Sequence, residues 1–250
     1  MEINIEQYIK LKIIVKSFQE DENRLYKEIM KLFKIDLNIP KKEGDKIILD
    51  IMSQVEENNS LIQRFTYDGI EYGLIPNLDN ISTGEFIDID SLLKEDENLH
   101  KVAAILYRPI TDKVKDLYRI EPYNDYDLDY YSEIMKKVDF RIIAGAITFF
   151  FSFREDFIRA FPYLYKPKDD EDEEEQEEGI NNLKRYTEED AFRDEMGWYS
   201  MLYVAAGEQY LKIREVTLSP ANEFLYFMNF YKKKSELEIK RINSLNKRTN

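Results

Sequence analysis

Residues 141–165 read RIIAGAITFFFSFREDFIRAFPYLY and are the most apolar segment of the chain. Their apolar side chains recur at the three- and four-residue spacing of a helix, and Pro162 or Pro167 sets the end because proline cannot continue a helix. The longest apolar run, residues 142–153, is too short to span a bilayer. We therefore predict that this segment is a central helix.

Helices are also expected on both sides of this segment. The chain has only 8 Gly and 7 Pro, which favours long regular elements over many short strands and turns. Residues 3–35 show helical spacing, and the polar stretch 19–23 can divide them into two helices. Residues 41–45 and 82–85 are interpreted as turns. Further helices are predicted over residues 46–57, 99–107, 127–138, 188–211 and 220–247.

One short stretch has strand character instead. Residues 64–73 read RFTYDGIEYG, in which Asp68-Gly69 separates two β-prone runs as a two-residue type I′ turn requires. Residues 86–90 can begin a strand or a helix, and residues 118–123 look extended. The predicted fold class is mainly α, with a small β-hairpin element near residues 64–90.

Much of the net charge of −14 is concentrated in one place. Residues 169–178, DDEDEEEQEE, carry nine acids and no base, and without those nine charges the remainder would be −5. This run has no apolar side chain with which to join a core, so residues 166–186 are predicted to be an exposed acidic linker. It separates a helical domain with the inserted hairpin, residues 1–165, from a C-terminal helical region, residues 187–250.

The acidic run has three interpretations: a solvated loop, a tether that faces a partner, or a mimic of nucleic-acid charge. Its carboxylates are contiguous rather than spaced around a turn glycine, which argues against a calcium loop. The residues proposed to face a partner are Asp169, Asp170, Glu171, Asp172, Glu173, Glu174 and Glu175.

The chain has one histidine and no cysteine, which removes most catalytic chemistry. Serine–histidine and cysteine–histidine nucleophiles, zinc sites and redox dithiols all draw on these residues. No phosphate-binding glycine loop is present. His100, at a predicted helix start, is interpreted as a surface or capping residue rather than a base. We therefore expect a protein that is not an enzyme and that needs neither a metal nor another cofactor, although carboxylate-only chemistry stays open.

Two helices carry more aromatic side chains than a single buried stripe needs. These aromatic residues either form the core or cover a subunit interface, where Phe and Tyr are enriched. The candidate interface residues are Phe149, Phe150 and Phe153 on the central helix, and Phe224, Phe227, Phe230 and Tyr231 on the last one.

The end of the last helix is basic. Residues 232–248 hold seven bases and two acids. Cations are favourable near a helix C-terminus, and this segment could also pair with the acidic run. Nucleic-acid binding is the less favoured reading.

The chain resembles one group of viral proteins in two regions. The first is FTYDGIEYGLIP at residues 65–76, followed by TGEFID at residues 83–88. The second runs from Trp198 through Ala205-Ala206-Gly207-Glu208 to Val216. Together with the Lys/Glu-rich final helix, these segments resemble uncharacterised tail or virion proteins of tailed phages of Bacteroidales, including crAss-like phages. The resemblance implies a virion or assembly role and supplies no functional residues.

The expected function is therefore that of a non-enzymatic structural or assembly protein of a tailed bacteriophage. It would act by protein–protein contacts in the tail or head–tail connector, with other phage structural proteins and itself as partners. The expected location is the virion or the host cytoplasm, without membrane association. The alternatives are a tail-assembly chaperone and an acidic inhibitor that mimics nucleic acid.

Limited proteolysis tests the predicted linker. A glutamate-specific protease should cut first within residues 169–178, because nine like charges cannot be buried at tolerable cost. Mass spectrometry of the first fragments identifies the site. Protection of this run in the isolated chain would contradict the prediction.

Overall fold

The computed structural model describes residues 3–56, 60–76, 78–161, 164 and 188–249. In these residues the chain is mainly helical with one small antiparallel sheet, which confirms the predicted fold class. The helices are α1 (Ile5–Phe18), α2 (Glu22–Leu32), α3 (Lys41–Glu56), α4 (Thr83–Leu92), α5 (Leu99–Leu106), α6 (Leu128–Met135), α7 (Phe140–Ala160), α8 (Glu188–Ala205), α9 (Ile213–Leu218) and α10 (Ala221–Thr249).

Four strands form the sheet, in the order β1 (Arg64–Tyr67), β2 (Ile70–Leu74), β3 (Tyr107–Val114) and β4 (Leu117–Ile120). All neighbouring pairs are antiparallel. Asp68 and Gly69 have φ angles of 49° and 76°, so the first hairpin has the predicted type I′ turn. The second hairpin, β3–β4, was not predicted. It follows α5 without a loop, and Pro109 lies inside β3.

Contacts group the chain into two units that are each discontinuous in sequence. The first comprises Met1–Leu78 and Asp88–Ser152, and the second comprises Asp79–Ile87 and Phe153–Asn250. The sequence-based division at residues 166–186 is different. The difference arises because, in the second unit, Phe86 packs 5.6 Å from Phe157 and 5.8 Å from Trp198, measured between ring centroids.

The N-terminus is fixed within the first unit by backbone hydrogen bonds. The Ile5 amide donates to the Val138 carbonyl at 2.9 Å, and the Phe140 amide donates to the Ile3 carbonyl at 2.8 Å. The Tyr8 ring stacks on Phe140 with a centroid distance of 3.5 Å. This short antiparallel bridge joins the start of α1 to the start of α7.

Buried aromatic side chains form the inner face of the sheet. Tyr72 and Tyr107 are 0% and 1% exposed, and the Phe65 ring lies 5.3 Å from each of their rings. The Tyr107 hydroxyl donates to the Ile62 carbonyl at 2.6 Å and lies 3.1 Å from the Ile142 carbonyl of α7. One hydroxyl therefore links β3, the approach to β1 and α7.

Two predicted turns are wrong, because both segments are helical. Residues 41–45 form the first turn of α3, which follows Pro40, a residue whose fixed φ suits a helix start. Residues 82–85 form the N-terminus of α4. The predicted helix over 188–211 is also corrected: Gly197, with φ 41° and ψ −119°, kinks α8, and α8 ends at Ala205.

Gly145 allows α7 to approach closely the segment that precedes β1. A Cβ atom added at Gly145 would lie 2.2 Å from the Ser60 carbonyl oxygen, which is backbone and cannot rotate away. A Cβ at Gly73 would lie 2.4 Å from the Tyr118 ring, a side chain that can move. Substitution by alanine should therefore lower folding stability more at Gly145 than at Gly73.

Gly145→Ala should lower the free energy of unfolding by about 2 kcal/mol, because an overpacking cost of about 3 kcal/mol exceeds the gain of about 1 kcal/mol from helix propensity. Gly73→Ala should cost less, and Tyr118→Ala in the same chain should relieve part of that cost. Urea unfolding followed by circular dichroism measures both effects. Ser152→Ala, exposed on α7, is the control and should be near neutral. A stabilising Gly145→Ala would contradict the close approach.

Candidate functional site

The structure separates the seven aromatic residues proposed for an interface into two groups. Phe150 and Phe224, at 0% and 3% exposed, are core residues and are withdrawn from the candidate surface. Phe153 is half-buried. The exposed members are Phe149 (44%), Phe227 (40%), Phe230 (56%) and Tyr231 (40%). Helical spacing alone could not decide between these positions, because aromatic residues occur on most sides of both helices.

The exposed residues of α7 and α10 belong to different units. Phe149 and Phe151 are both 44% exposed, in the part of α7 that belongs to the first unit. Two residues apart on a helix, they point to different sides and form no common patch. On α10, the candidates Phe227, Phe230 and Tyr231 lie in the second unit and continue into further exposed apolar side chains, so α10 provides the larger candidate surface.

The N-terminal part of α10 is anchored in the core of the second unit. Ala221, Leu225 and Met228 are 0%, 0% and 6% exposed. The Ala221 amide donates to the Ile81 carbonyl at 2.9 Å, and the Thr83 hydroxyl donates to the Ser219 carbonyl at 3.0 Å. These contacts fix where α10 begins.

A capping box at the start of α4, in residues predicted to form a turn, supports this anchor. The Glu85 amide donates to the Ser82 hydroxyl at 3.2 Å, and the Ser82 amide donates to the Glu85 carboxylate at 2.8 Å. The spacing Ser-x-x-Glu before an apolar run is the signal that could have identified it.

Beyond the anchor, α10 exposes a face that combines apolar and charged side chains. Leu237 and Ile242 are 60% and 56% exposed. The neighbouring side chains Phe230, Lys233, Lys234, Leu237, Glu238 and Arg241 all come from α10, so the helix presents a surface and not a cavity. Lys234 and Glu238 lie 3.8 Å apart, an i,i+4 pair with both side chains more than half exposed. This face, from Phe227 to Ile242, is hereafter the α10 face.

A concave region in the first unit is polar and small. Arg108 is 6% exposed and its guanidinium lies 5.8 Å from the centre of the Tyr123 ring. The Tyr131 hydroxyl donates to Glu121 at 2.6 Å; burial, and then this hydrogen bond, raise the pKa of Tyr131. The cavity beside these groups has a volume of about 20 Å³, which is room for about one water molecule. We assign this cluster a structural role.

His100 lies in the first turn of α5, as expected, but its ring is half-buried rather than at the surface. Its Nδ1 is buried and has no hydrogen-bond partner among the described residues. Burial lowers the pKa of His100, and the nearby cations of Lys136 and Lys101 lower it further. The ring is therefore neutral at physiological pH.

Within the described ranges, no three His, Asp or Glu side chains converge as metal ligands. In the same part of the chain, no helix is long and apolar enough to cross a membrane. The proposed acidic residues Asp169–Glu175 lie outside the described residues.

Comparison with known proteins gives no match: no family model, no curated protein and no solved structure is similar to this chain.

The protonation of His100 should make folding stability depend on pH. The pKa of His100 is lower in the folded chain than the ordinary value of 6.5, so the unfolded chain binds the proton first. The contribution of neutral His100 to the free energy of unfolding is fully present above pH 6.5. It is lost as the pH falls from 6.5 through the pKa of His100 in the folded chain. His100 is the only histidine, so little else titrates in this window.

Urea unfolding at about pH 7 and about pH 5.5 tests this, because the window lies around the ordinary histidine pKa. Wild type should lose stability at the lower pH, and His100→Gln should lose less. The same pH dependence in both proteins would show that His100 does not carry the effect.

Proposed function

We propose that this protein is a non-enzymatic structural or assembly protein of a tailed bacteriophage, which acts through protein–protein contacts in the tail or head–tail connector. The α10 face is the contact surface. Partners are other phage structural proteins and further copies of this chain.

The observation that carries this proposal is the exposed apolar surface of α10. Phe227, Phe230, Tyr231, Leu237 and Ile242 are between 40% and 60% exposed on one helix. Large apolar side chains exposed close together on one helix are typical of a binding surface, and interface cores are enriched in Phe and Tyr with a polar rim. The composition of this face therefore suits a protein-binding surface.

The chemistry elsewhere supports a role without catalysis. The single histidine sits in a helix turn with its ring half-buried, and the polar cavity beside Arg108 has room for about one water molecule. A protein that works by contact needs neither a nucleophile nor a substrate pocket.

The phage setting rests on the sequence resemblance. Its first segment covers the β1–β2 hairpin, and TGEFID at residues 83–88 contains Thr83, whose hydroxyl donates to the Ser219 carbonyl just before α10. A virion protein of this type would keep the elements that position its contact helix.

Proteomics of washed phage particles tests the proposal. The chain should be present in particles of the phage that encodes it. Phe227→Glu together with Phe230→Glu should strongly reduce its incorporation, because two charges would have to be desolvated at the contact. The chain should keep its helical circular dichroism spectrum, since both side chains are largely exposed.

The matched control is Tyr210→Glu together with Leu211→Glu, which changes an aromatic and an apolar residue that are 69% and 75% exposed outside α10. This variant should be incorporated normally. A chain present in infected lysate but absent from washed particles would favour the assembly chaperone instead. A folded Phe227→Glu/Phe230→Glu chain incorporated like wild type would overturn the assignment of the α10 face.

A further inference from the structure

The α10 face has apolar side chains at both ends and charged side chains between them. Phe227, Phe230 and Tyr231 lie at one end, and Ile242 lies at the other. Lys234, Glu238 and Arg241 lie between them. Their spacing of three and four residues puts all seven on one side of the helix. The face runs for about 22 Å at 1.5 Å per residue.

This side borders the one that α10 buries in its own unit, and all seven of its side chains are exposed. The buried positions of the helix are Ala221, Phe224, Leu225 and Met228. Lys234 and Glu238 have side chains that are 58% and 63% exposed. The α10 face is therefore open to solvent while the helix remains anchored.

We propose that the α10 face binds the same face of a second copy of this chain, with the two helices antiparallel and a two-fold axis near residue 236. This proposal rests on the proposed function, because it identifies a second copy of the chain as one partner of the α10 face.

The charged residues of the α10 face favour a second copy of the chain as its binding partner. In the antiparallel arrangement, residues whose numbers are symmetric about 236 face each other. Lys234 then meets the partner's Glu238, and Tyr231 meets the partner's Arg241, which suits a cation–π contact. Phe230 meets the partner's Ile242. Each contact occurs twice, as two-fold symmetry requires.

The opposite orientation is disfavoured by the same charges. In a parallel, in-register pair, Lys234 would face Lys234, Glu238 would face Glu238 and Arg241 would face Arg241. Like charges in such positions oppose pairing and specify orientation in helical dimers. The intrahelical Lys234–Glu238 pair competes weakly, because lysine N-terminal to glutamate is the less favourable i,i+4 order.

Charge reversal with mixing is the decisive experiment, read out by analytical ultracentrifugation of the full chain. Lys234→Glu and Glu238→Lys should each raise the dimer dissociation constant at least about tenfold, because each puts like charges opposite each other twice. The mixture of the two variants should dimerise again, because every 234–238 contact between them joins opposite charges.

Lys240→Glu is the matched control for Lys234→Glu. It makes the same change in net charge on an exposed position away from the α10 face, and it should leave the dissociation constant unchanged. Equal weakening by both variants would mean that net charge, and not the proposed contact, controls association, and this would overturn the proposal.

Orientation is measured separately by spin labels on Ser244→Cys, an exposed position in a chain with no native cysteine. An antiparallel pair about residue 236 places the two labelled positions about 24 Å apart along the helix, whereas a parallel pair places them side by side. A side-by-side distance would overturn the antiparallel arrangement.

A wild-type chain that stays monomeric across a wide concentration range would overturn self-pairing. That result leaves particle incorporation as an independent readout of the proposed function. Conversely, absence from particles and infected lysate would overturn the proposed function even if the purified chain dimerises.

Discussion

The first unit depends on where the Tyr107 hydroxyl is placed. A buried hydroxyl without a partner costs about 1–3 kcal/mol, so this group must find an acceptor once the ring enters the core. It donates to the Ile62 carbonyl and lies close to the Ile142 carbonyl, so β3, the residues before β1 and α7 are held together. Burial raises the pKa of Tyr107, which keeps the donating proton in place. The close approach at Gly145 brings α7 to the same short segment.

The sequence predicted elements whose signals are local. Asp68-Gly69 indicates the first hairpin, because both residues of its type I′ turn need a positive φ. The helical spacing of apolar side chains in residues 141–165 indicates α7. The second hairpin has no such signal. Pro109 argues against a strand, and β3 exists because β2 offers a partner for Tyr107 and its neighbours. The Ser82–Glu85 capping box was a local signal that could have been recognised.

The candidate surface could be predicted only as a group of aromatic residues. Phe224 and Phe227 are similar in sequence context, yet one is 3% and the other 40% exposed. What separates them is the direction from which the second unit packs against α10, and that direction is set by residues far away in sequence. Composition therefore identified the helix, and only packing identified its exposed side. The charged residues of that side became informative once the side was known.

The discontinuous second unit has a consequence for synthesis on the ribosome. The Thr83 hydroxyl bonds to a carbonyl 136 residues later, and Phe86, 0% exposed when folded, packs against Phe157 and Trp198. At 5–20 residues per second, the segment 79–87 waits on the order of ten seconds for the Ser219 carbonyl. During translation, Phe86 lacks these partners while much of the first unit is already made. The second unit therefore cannot be completed in the N-to-C order by which domains usually fold, and the nascent chain must keep this segment from joining the wrong core.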